Sequence, residues 1–334
     1  MSMTRPLLLF TIDVEEDMPD WKISYPTTVN NCAALPRLAA MCEKLGVQPT
    51  YLCTYPVATQ PESAGILRTL HRSGGCEIGT HLHPWNTPPY AGVPGRNGVD
   101  ERNVTYYQYE LGRERFRPKL DNLHEVIGEL SGERPVSFRA GRFGIDAATL
   151  KELIEKGYEV DSSVTPLEEH LADEGPDFRS APQHPYRPHG SNITRKGDLP
   201  IVEIPVSVGL TRRLPRLFAQ AYVRIPKLTR VRGLLSKDYL RVIDFAWLYP
   251  ARFELELMCR TARSLHSQNA EVFNVFCHSS ELVAGASGRV KTQDDVDRVF
   301  AKIRGILKHC LEEYGARPAT LAQAGRELRP GLGL

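Results

Sequence analysis

LLLFTID at residues 7–13 and VFNVFCH at residues 272–278 decide the fold. Each is a short apolar run that ends in an ionisable residue, Asp13 in one and His278 in the other. Three more segments follow the same plan: CEIGTH to His81, VSFR to Arg139 and GYEVD to Asp161. A bounded apolar or β-branched run of this length reads as a buried strand. In barrels and open α/β sheets the carboxyl ends of parallel strands converge on one rim, where chemistry sits. Two acids, a histidine pair, an arginine and a further histidine are therefore expected on one rim, which is the pattern of an enzyme.

Further strands are expected at 48–53 and 201–206, so the strand set is 7–13, 48–53, 76–81, 136–140, 158–161, 201–206 and 272–278. Between them, apolar residues recur at helical spacing over 31–45, 61–73, 105–130, 146–156, 250–268 (with Pro250 near the first turn) and 293–313. Strand and helix alternate, which implies parallel strands with crossover helices. Seven strands predict an irregular or incompletely closed α/β barrel, read as a single domain over 1–334. Residues 82–104 and 162–200 are Pro/Gly-rich loops that follow rim residues, the usual place for substrate contacts.

The bulk numbers fit an ordinary globular chain: 334 residues, 41% hydrophobic, 25% charged. A net charge of +2 gives no global field for nucleic acid, and no nucleic-acid partner is expected. No apolar run approaches the length of a membrane-spanning helix. The N-terminal run passes straight into acids, so it reads as the first strand of a cytoplasmic protein and not as a signal sequence. The seven cysteines are odd in number and none has CxxC spacing. They argue against a disulfide framework or a cysteine zinc site and read as packing hydrophobes. One local exception to the charge balance is 211–241, with seven Arg plus Lys227 and Lys237 against one acid, Asp238. Interleaved with Leu, Phe and Tyr, this basic insertion suits a membrane surface or phosphate groups, or else a solvated hairpin.

Asp13 and Glu15, two apart in TIDVEED, point the same way in extended chain. So do His81 and His83 in THLHPW, where Pro84 favours extended geometry. Alone, the acids read as a solvated strand end and the histidine pair as structural. Together, two imidazoles and a carboxylate with open positions make a hydrolytic zinc site or a non-haem iron site. Arg139 in SFRAGRFG would pair with a carboxylate and depress its pKa. Trp21, Trp85, Trp247 and Tyr186 are candidates for stacking on a substrate ring.

In this order the segments resemble the five motifs of the NodB-type polysaccharide deacetylases, carbohydrate esterase family 4, over roughly residues 5–325. The resemblance implies a distorted seven-stranded (β/α) barrel of the glycoside hydrolase/deacetylase type. It implies Asp13 as general base and Glu15 as metal-binding acid, with the swapped assignment also open. His81 and His83 would complete a divalent transition-metal site, zinc being the first expectation. Arg139 would orient the base, Asp161 would match the acid of the fourth motif, and His278 would be the general acid. Three departures stand out. The family's second histidine lies four residues after the first, where this chain has Trp85, so either His83 substitutes for it or the metal has only one histidine. Its usual proline in the third motif is Gly141, and its adjacent aspartates have become Asp-Val-Glu.

The implied reaction is hydrolysis of an N-acyl group, acetyl first, from an amino sugar, which could be linked to a nucleotide or lipid phosphate. The competing readings keep the fold. One is a deacylase or amidohydrolase of a non-sugar amide or formamide, and the other is an inactive sugar- or phosphate-binding member.

Overall fold

The computed structural model describes residues 5–23, 25–90, 100–212 and 244–334. All seven expected strands form: β1 Leu7–Val14, β2 Thr50–Cys53, β3 Glu77–Leu82, β4 Ser137–Ala140, β5 Val160–Asp161, β6 Val202–Glu203 and β7 Val272–His278. They pair side by side in the order β7-β1-β2-β3-β4-β5-β6, every pair parallel. The result is a curled, distorted (β/α)7 barrel whose helices form an outer layer. Among the described residues no strand ladder between β6 and β7 closes the ring. Instead the chain after β6 stitches across the seam: Ser207 N–H donates to Asn274 O at 3.1 Å, and Asn274 N–H donates to Ser207 Oγ at 2.9 Å.

The period-2 alternation of β1 explains the layering. Leu8, Phe10, Ile12 and Val14 join the large core under the helices. Leu7 and Leu9 face the barrel interior and pack with Leu52, Val160, Val202 and Ile204. A final short helix, Leu321–Leu328, plugs the barrel floor through Leu321 and Ala324. The same inward phase continues upward to Thr11 and then Asp13, so β1 passes from a greasy floor to a polar rim in three steps. Each fully buried Leu or Phe contributes about 1.5–3 kcal/mol, so the layer beneath the polar rim is well anchored.

The outer helices are α1 Leu35–Lys44, α2 Pro61–Arg72, α3 Arg113–Ser131, α4 Ala147–Lys156, α5 Leu255–His266 and α6 Gln293–Tyr314. In α6, Thr292 and Asp295 form a capping box, and Val296, Val299, Phe300, Ile303, Ile306, Leu307 and Cys310 bury one stripe. Three expected boundaries shift. The 31–45 segment opens with a 3-10 turn at Asn30–Ala34, and α1 starts where Pro36 can occupy its first turn. The 105–130 segment is α-helical only from Arg113. The 250–268 helix starts at Leu255, because Tyr249 O is taken by the N–H groups of Arg252 and Phe253 in a turn that holds Pro250 outside the helix.

Two small antiparallel pairs were not foreseen, Pro188–His189 with Asn192–Lys196 and Val208–Leu210 with Phe245–Trp247. Of the basic insertion at 211–241, all but Thr211 and Arg212 lies outside the described residues, as do positions 91–99 of the loop after β3. Among the described residues no helix is long and apolar enough to cross a membrane.

Candidate active site

The strand ends meet at one cavity of about 360 Å³. Its floor is Asp13, Glu15, His81 and His83, with His278 beside them. Met18, Trp21, Trp85 and Phe143 supply apolar wall, and Thr105, Arg142 and Asp173 complete the lining.

Glu15, His81 and His83 present donor atoms that all lie within 4.8 Å of one another. His83 Nε2 is 3.5 Å from Glu15 Oε2, and His81 Nε2 is 3.8 Å from the same oxygen. Two zinc–ligand bonds meeting tetrahedrally hold their donor atoms about 3.3 Å apart, so a small inward movement completes the set. Each imidazole has its other nitrogen engaged behind it. His81 Nδ1 donates to Arg139 O at 3.0 Å, which leaves the Nε2 lone pair free. His83 Nδ1 bonds Glu16 Oε1 at 3.0 Å, and Trp85 Nε1 donates to the same oxygen at 2.9 Å. Backing of this kind fixes the tautomer and aim of a metal-ligating histidine. Glu15 Oε1 is buried with no hydrogen-bond partner among the described residues. An orphaned carboxylate oxygen beside two aimed imidazoles is the donor set of a divalent transition metal, so the residues fit such an ion.

The four acids of TIDVEED have separate tasks. Asp13 and Glu15 face the cavity. Glu16 holds His83 and Trp85. Asp17 caps the turn ahead of α1, accepting from Thr28 Oγ1, the backbone N–H groups of Asn30 and Asn31, and Asn31 Nδ2.

Gly141 is the local reason His83 can reach the centre. A Cβ there would lie 2.4 Å from His83 Cδ2 and 2.6 Å from Leu82 O. Where the family resemblance leads one to expect proline, this chain has the residue that clears space for the displaced histidine.

Arg139 is fully buried and rises inside the barrel from β4. Its Nη1 donates to Asp13 Oδ1 at 2.8 Å, Nη2 to Thr11 Oγ1 and Ser162 Oγ, and Nε to Ser162 O. Burial alone would push the Asp13 carboxyl up. The Arg139 guanidinium and the imidazole of His278 outweigh it and hold Asp13 below its ordinary value. Glu15 goes the other way: burial pushes it up to about 7, despite the opposing His278 and His83. Burial drives His81 down to about 3, so it is neutral and available as a ligand.

His278 is fixed from behind by two residues the sequence had not singled out. Tyr249 OH lies 3.0 Å from His278 Nδ1 and gives its own proton to Glu281 Oε1, so it accepts from Nδ1–H. Glu281 Oε2 is 3.5 Å from Nδ1 and also accepts the backbone N–H of His278. Burial would lower His278, but the carboxylates of Glu15 and Glu281 overcome it and raise the imidazole to about 9.

Other expected positions fall elsewhere. Asp161 does not line the cavity and does not contact His278; the residues against His278 Nδ1 are Tyr249 and Glu281. Val160 belongs to the interior cluster, and Ser162 reaches inward to Arg139 and Asn274. The alternation therefore turns Asp161 to the opposite face. There it is wholly buried beside Glu203, its register partner on β6, and its Oδ1 accepts from Ser163 Oγ. Tyr186 is fully buried, with its hydroxyl on Ile193 O, so it offers no face to a substrate. Trp247 is also buried, packed edge-on to Phe143. Trp85 reaches the cavity, but one ring face is stacked on His83, with centroids 4.3 Å apart. Trp21 is 39% exposed and stands edge-on to His278, with centroids 5.5 Å apart. Of the four aromatic candidates it is the one with an open face at the mouth.

No protein-family model matches the sequence, and no curated protein matches it. Solved structures do match over nearly the whole chain. A structure given as a polysaccharide deacetylase from Mycobacterium smegmatis has a TM-score of 0.57 at 18% identity, covering 99% of this chain and 92% of that one. One from Parabacteroides distasonis, given as a glycoside hydrolase/deacetylase, has a TM-score of 0.63 at 14% identity, covering 99% and 73%. An allantoinase has a TM-score of 0.57 at 13% identity, covering 98% and 92%. At these identities the likeness establishes the fold: the chain adopts the distorted (β/α)7 barrel seen in deacetylase-type structures.

Proposed function

We propose that this protein is a metal-dependent hydrolase that removes an N-acyl group, acetyl first, from an amino sugar. Water is consumed, and a carboxylic acid and a free sugar amine are released. The observation that carries this reading is the sharing of one cavity by the Glu15–His81–His83 cluster, Asp13 and His278. Amide hydrolysis needs a base for water and an acid for the leaving amine on opposite sides of one carbonyl, and these are the groups present.

Glu15, His81 and His83 would hold the ion, zinc first. When bound, a divalent metal acidifies water and polarises the acyl carbonyl. Asp13, kept ionised beside Arg139, takes the proton from water. His278, whose Nδ1 is engaged by Tyr249, carries its transferable proton on Nε2 and gives it to the departing amine. Arg139 acts through Asp13 and is a positioning residue. Trp21 offers an aromatic face at the cavity mouth, in keeping with a sugar ring.

The basic insertion supports a substrate carried on a nucleotide or lipid phosphate, with membrane-surface contact through 211–241. Six of the seven cysteines are buried and all are free, a usage at home in the reducing cytoplasm. We place the protein there.

The test is acyl release by the zinc-loaded full chain from N-acetyl and N-formyl amino sugars, with acetate and formate measured separately. Acetate release that stops on chelation and returns with metal is the expected result. Binding of these sugars with no turnover at any metal loading would overturn the assignment.

A further inference from the structure

The turn after β4, Gly141-Arg142-Phe143-Gly144, is strained in a directed way. Arg142 (φ 53°, ψ 22°) and Phe143 (φ 57°) are consecutive left-handed residues. Neither is of a type that adopts this conformation readily, and each costs about 1 kcal/mol or more. Both side chains line the cavity that holds the acids and imidazoles. The flanking glycines make the turn feasible: Gly141 clears His83, and a Cβ at Gly144 would lie 2.3 Å from Tyr107 Cδ1. Tyr107, admitted by that gap, lies under the Arg142 guanidinium, 4.2 Å from its ring centre.

The guanidinium is thus held flat on an aromatic ring with few of its donors used. Nη1 donates to Thr105 O at 3.0 Å. The remaining charge partner is Asp173, at 4.0 Å and 71% exposed, a contact too long and too wet to bind tightly. Nε and Nη2 make no hydrogen bond among the described residues. A planar cation with free, parallel donors, fixed at the edge of a cavity, is the geometry that reads carboxylate or phosphate oxygens. Strain of this kind persists where the surroundings enforce it, and here it brings Arg142 to the cavity.

We infer that Arg142 is an anion-recognition residue, and that the substrate carries a carboxylate or phosphate on the sugar that presents its N-acyl group to the cavity floor. This rests on the deacylase reading and narrows its substrate to acidic N-acyl amino sugars. The carboxylate source would be an aminouronic acid, and the phosphate source a sugar 1-phosphate or its esters.

The experiment compares three probes with the zinc-loaded chain: N-acetylglucosamine, N-acetylglucosaminuronic acid and N-acetylglucosamine 1-phosphate. Acetate release gives kcat and KM, and calorimetry gives Kd. The wild type should prefer one charged probe to the neutral one in kcat/KM, and its identity distinguishes carboxylate from phosphate. Arg142→Gln should reduce that preference about 10- to 100-fold, the loss of one charge-assisted bond, through KM and not kcat. Arg142→Lys should restore part of it, and raised salt should erode the wild-type preference. A wild type that turns over neutral and charged probes equally would overturn the inference and leave the deacylase reading standing. So would an Arg142→Gln variant that weakens all three alike, since that marks a structural pin. If no probe releases acetate, the deacylase reading fails. Calorimetry then still decides on Arg142: charged probes must bind more tightly than the neutral one, and must lose that margin in Arg142→Gln.

Discussion

Replacing Gly141 with alanine should disable the proposed metal centre without substituting any of its ligands. The added Cβ would stand 2.4 Å from His83 Cδ2, 3.2 Å from His83 Nε2 and 2.6 Å from Leu82 O. Ordinary carbon contacts begin near 3.5 Å, so about 1 Å of relief must come from somewhere. The Leu82 carbonyl is held on β3, where it also accepts from Gln108 Nε2 at 2.6 Å. The imidazole is left to move, with Trp85 stacked on one of its faces. Metal–ligand distances tolerate about 0.2 Å, so a shift several times larger removes His83 from the coordination sphere. Overpacking should lower stability by about 1–3 kcal/mol. Zinc affinity should fall at least the 10- to 100-fold typical of disturbing a ligand's support. Metal-stripped protein titrated with zinc by calorimetry, and with cobalt by absorption, reads the affinity; thermal unfolding reads the stability. Gly65→Ala is the control, since a Cβ there meets nothing within 4 Å. A Gly141→Ala protein that binds zinc as tightly as the wild type would refute the placement of His83 as a ligand.

Four other outcomes are expected. Asp13→Asn should cut kcat by about 10²–10⁴ as the base is lost. It should also destabilise the fold by about 3–5 kcal/mol, because Arg139 is left buried without its counter-charge; chemical denaturation checks the second figure. His278→Ala should lower kcat by a similar factor with little change in zinc affinity, and retained turnover would remove His278 from the chemistry. In the proposed reaction the His278 imidazole, raised to about 9, acts in its protonated form, so activity should fall as pH rises through that region. Glu281→Gln removes one of the carboxylates that raise it and should move this alkaline limb to lower pH; an unmoved limb would show that another group sets it. Metal affinity should weaken as pH falls below about 7, where Glu15 gains a proton in the metal-free protein. Calorimetry in buffers of different ionisation enthalpy should accordingly show proton release on zinc binding.

The strands were legible because parallel barrel strands are buried on both faces, which leaves unbroken apolar runs such as LLLF and VFNVF. The floor of the site was legible for a related reason: an ionisable residue directly after such a run has nowhere to go but the rim. That logic led to Asp13, Glu15, His81, His83 and His278, which line the cavity, and to Arg139, which is buried against Asp13. It misplaced Asp161, because β5 has two residues and the direction of a strand-end side chain turns on a phase of one. The sequence pattern fits Ser162 inward as well as Asp161 inward, and the lattice around Arg139 and Asn274 selects the former. Tyr186 and Trp247 were misread because ring type does not report which loop will cover a ring. Glu281 left a trace, an acid three residues after the strand-end histidine, which is capping-box spacing. Tyr249 left none, since its hydroxyl arrives from a different part of the chain. Arg142 was hidden by its backbone, whose left-handed geometry no arginine announces.

The antiparallel pair Val208–Leu210 with Phe245–Trp247 ties the two flanks of the basic insertion to neighbouring positions. Whatever lies between them leaves and re-enters the scaffold at one doorway. Asp13, Glu15, His81, His83 and His278 belong to the contiguous arc β7-β1-β2-β3, none of which interrupts that doorway. A change of length between the two flanks is therefore expected to leave the register of that arc unchanged. What joins the two flanks can thus vary while the cavity floor stays fixed.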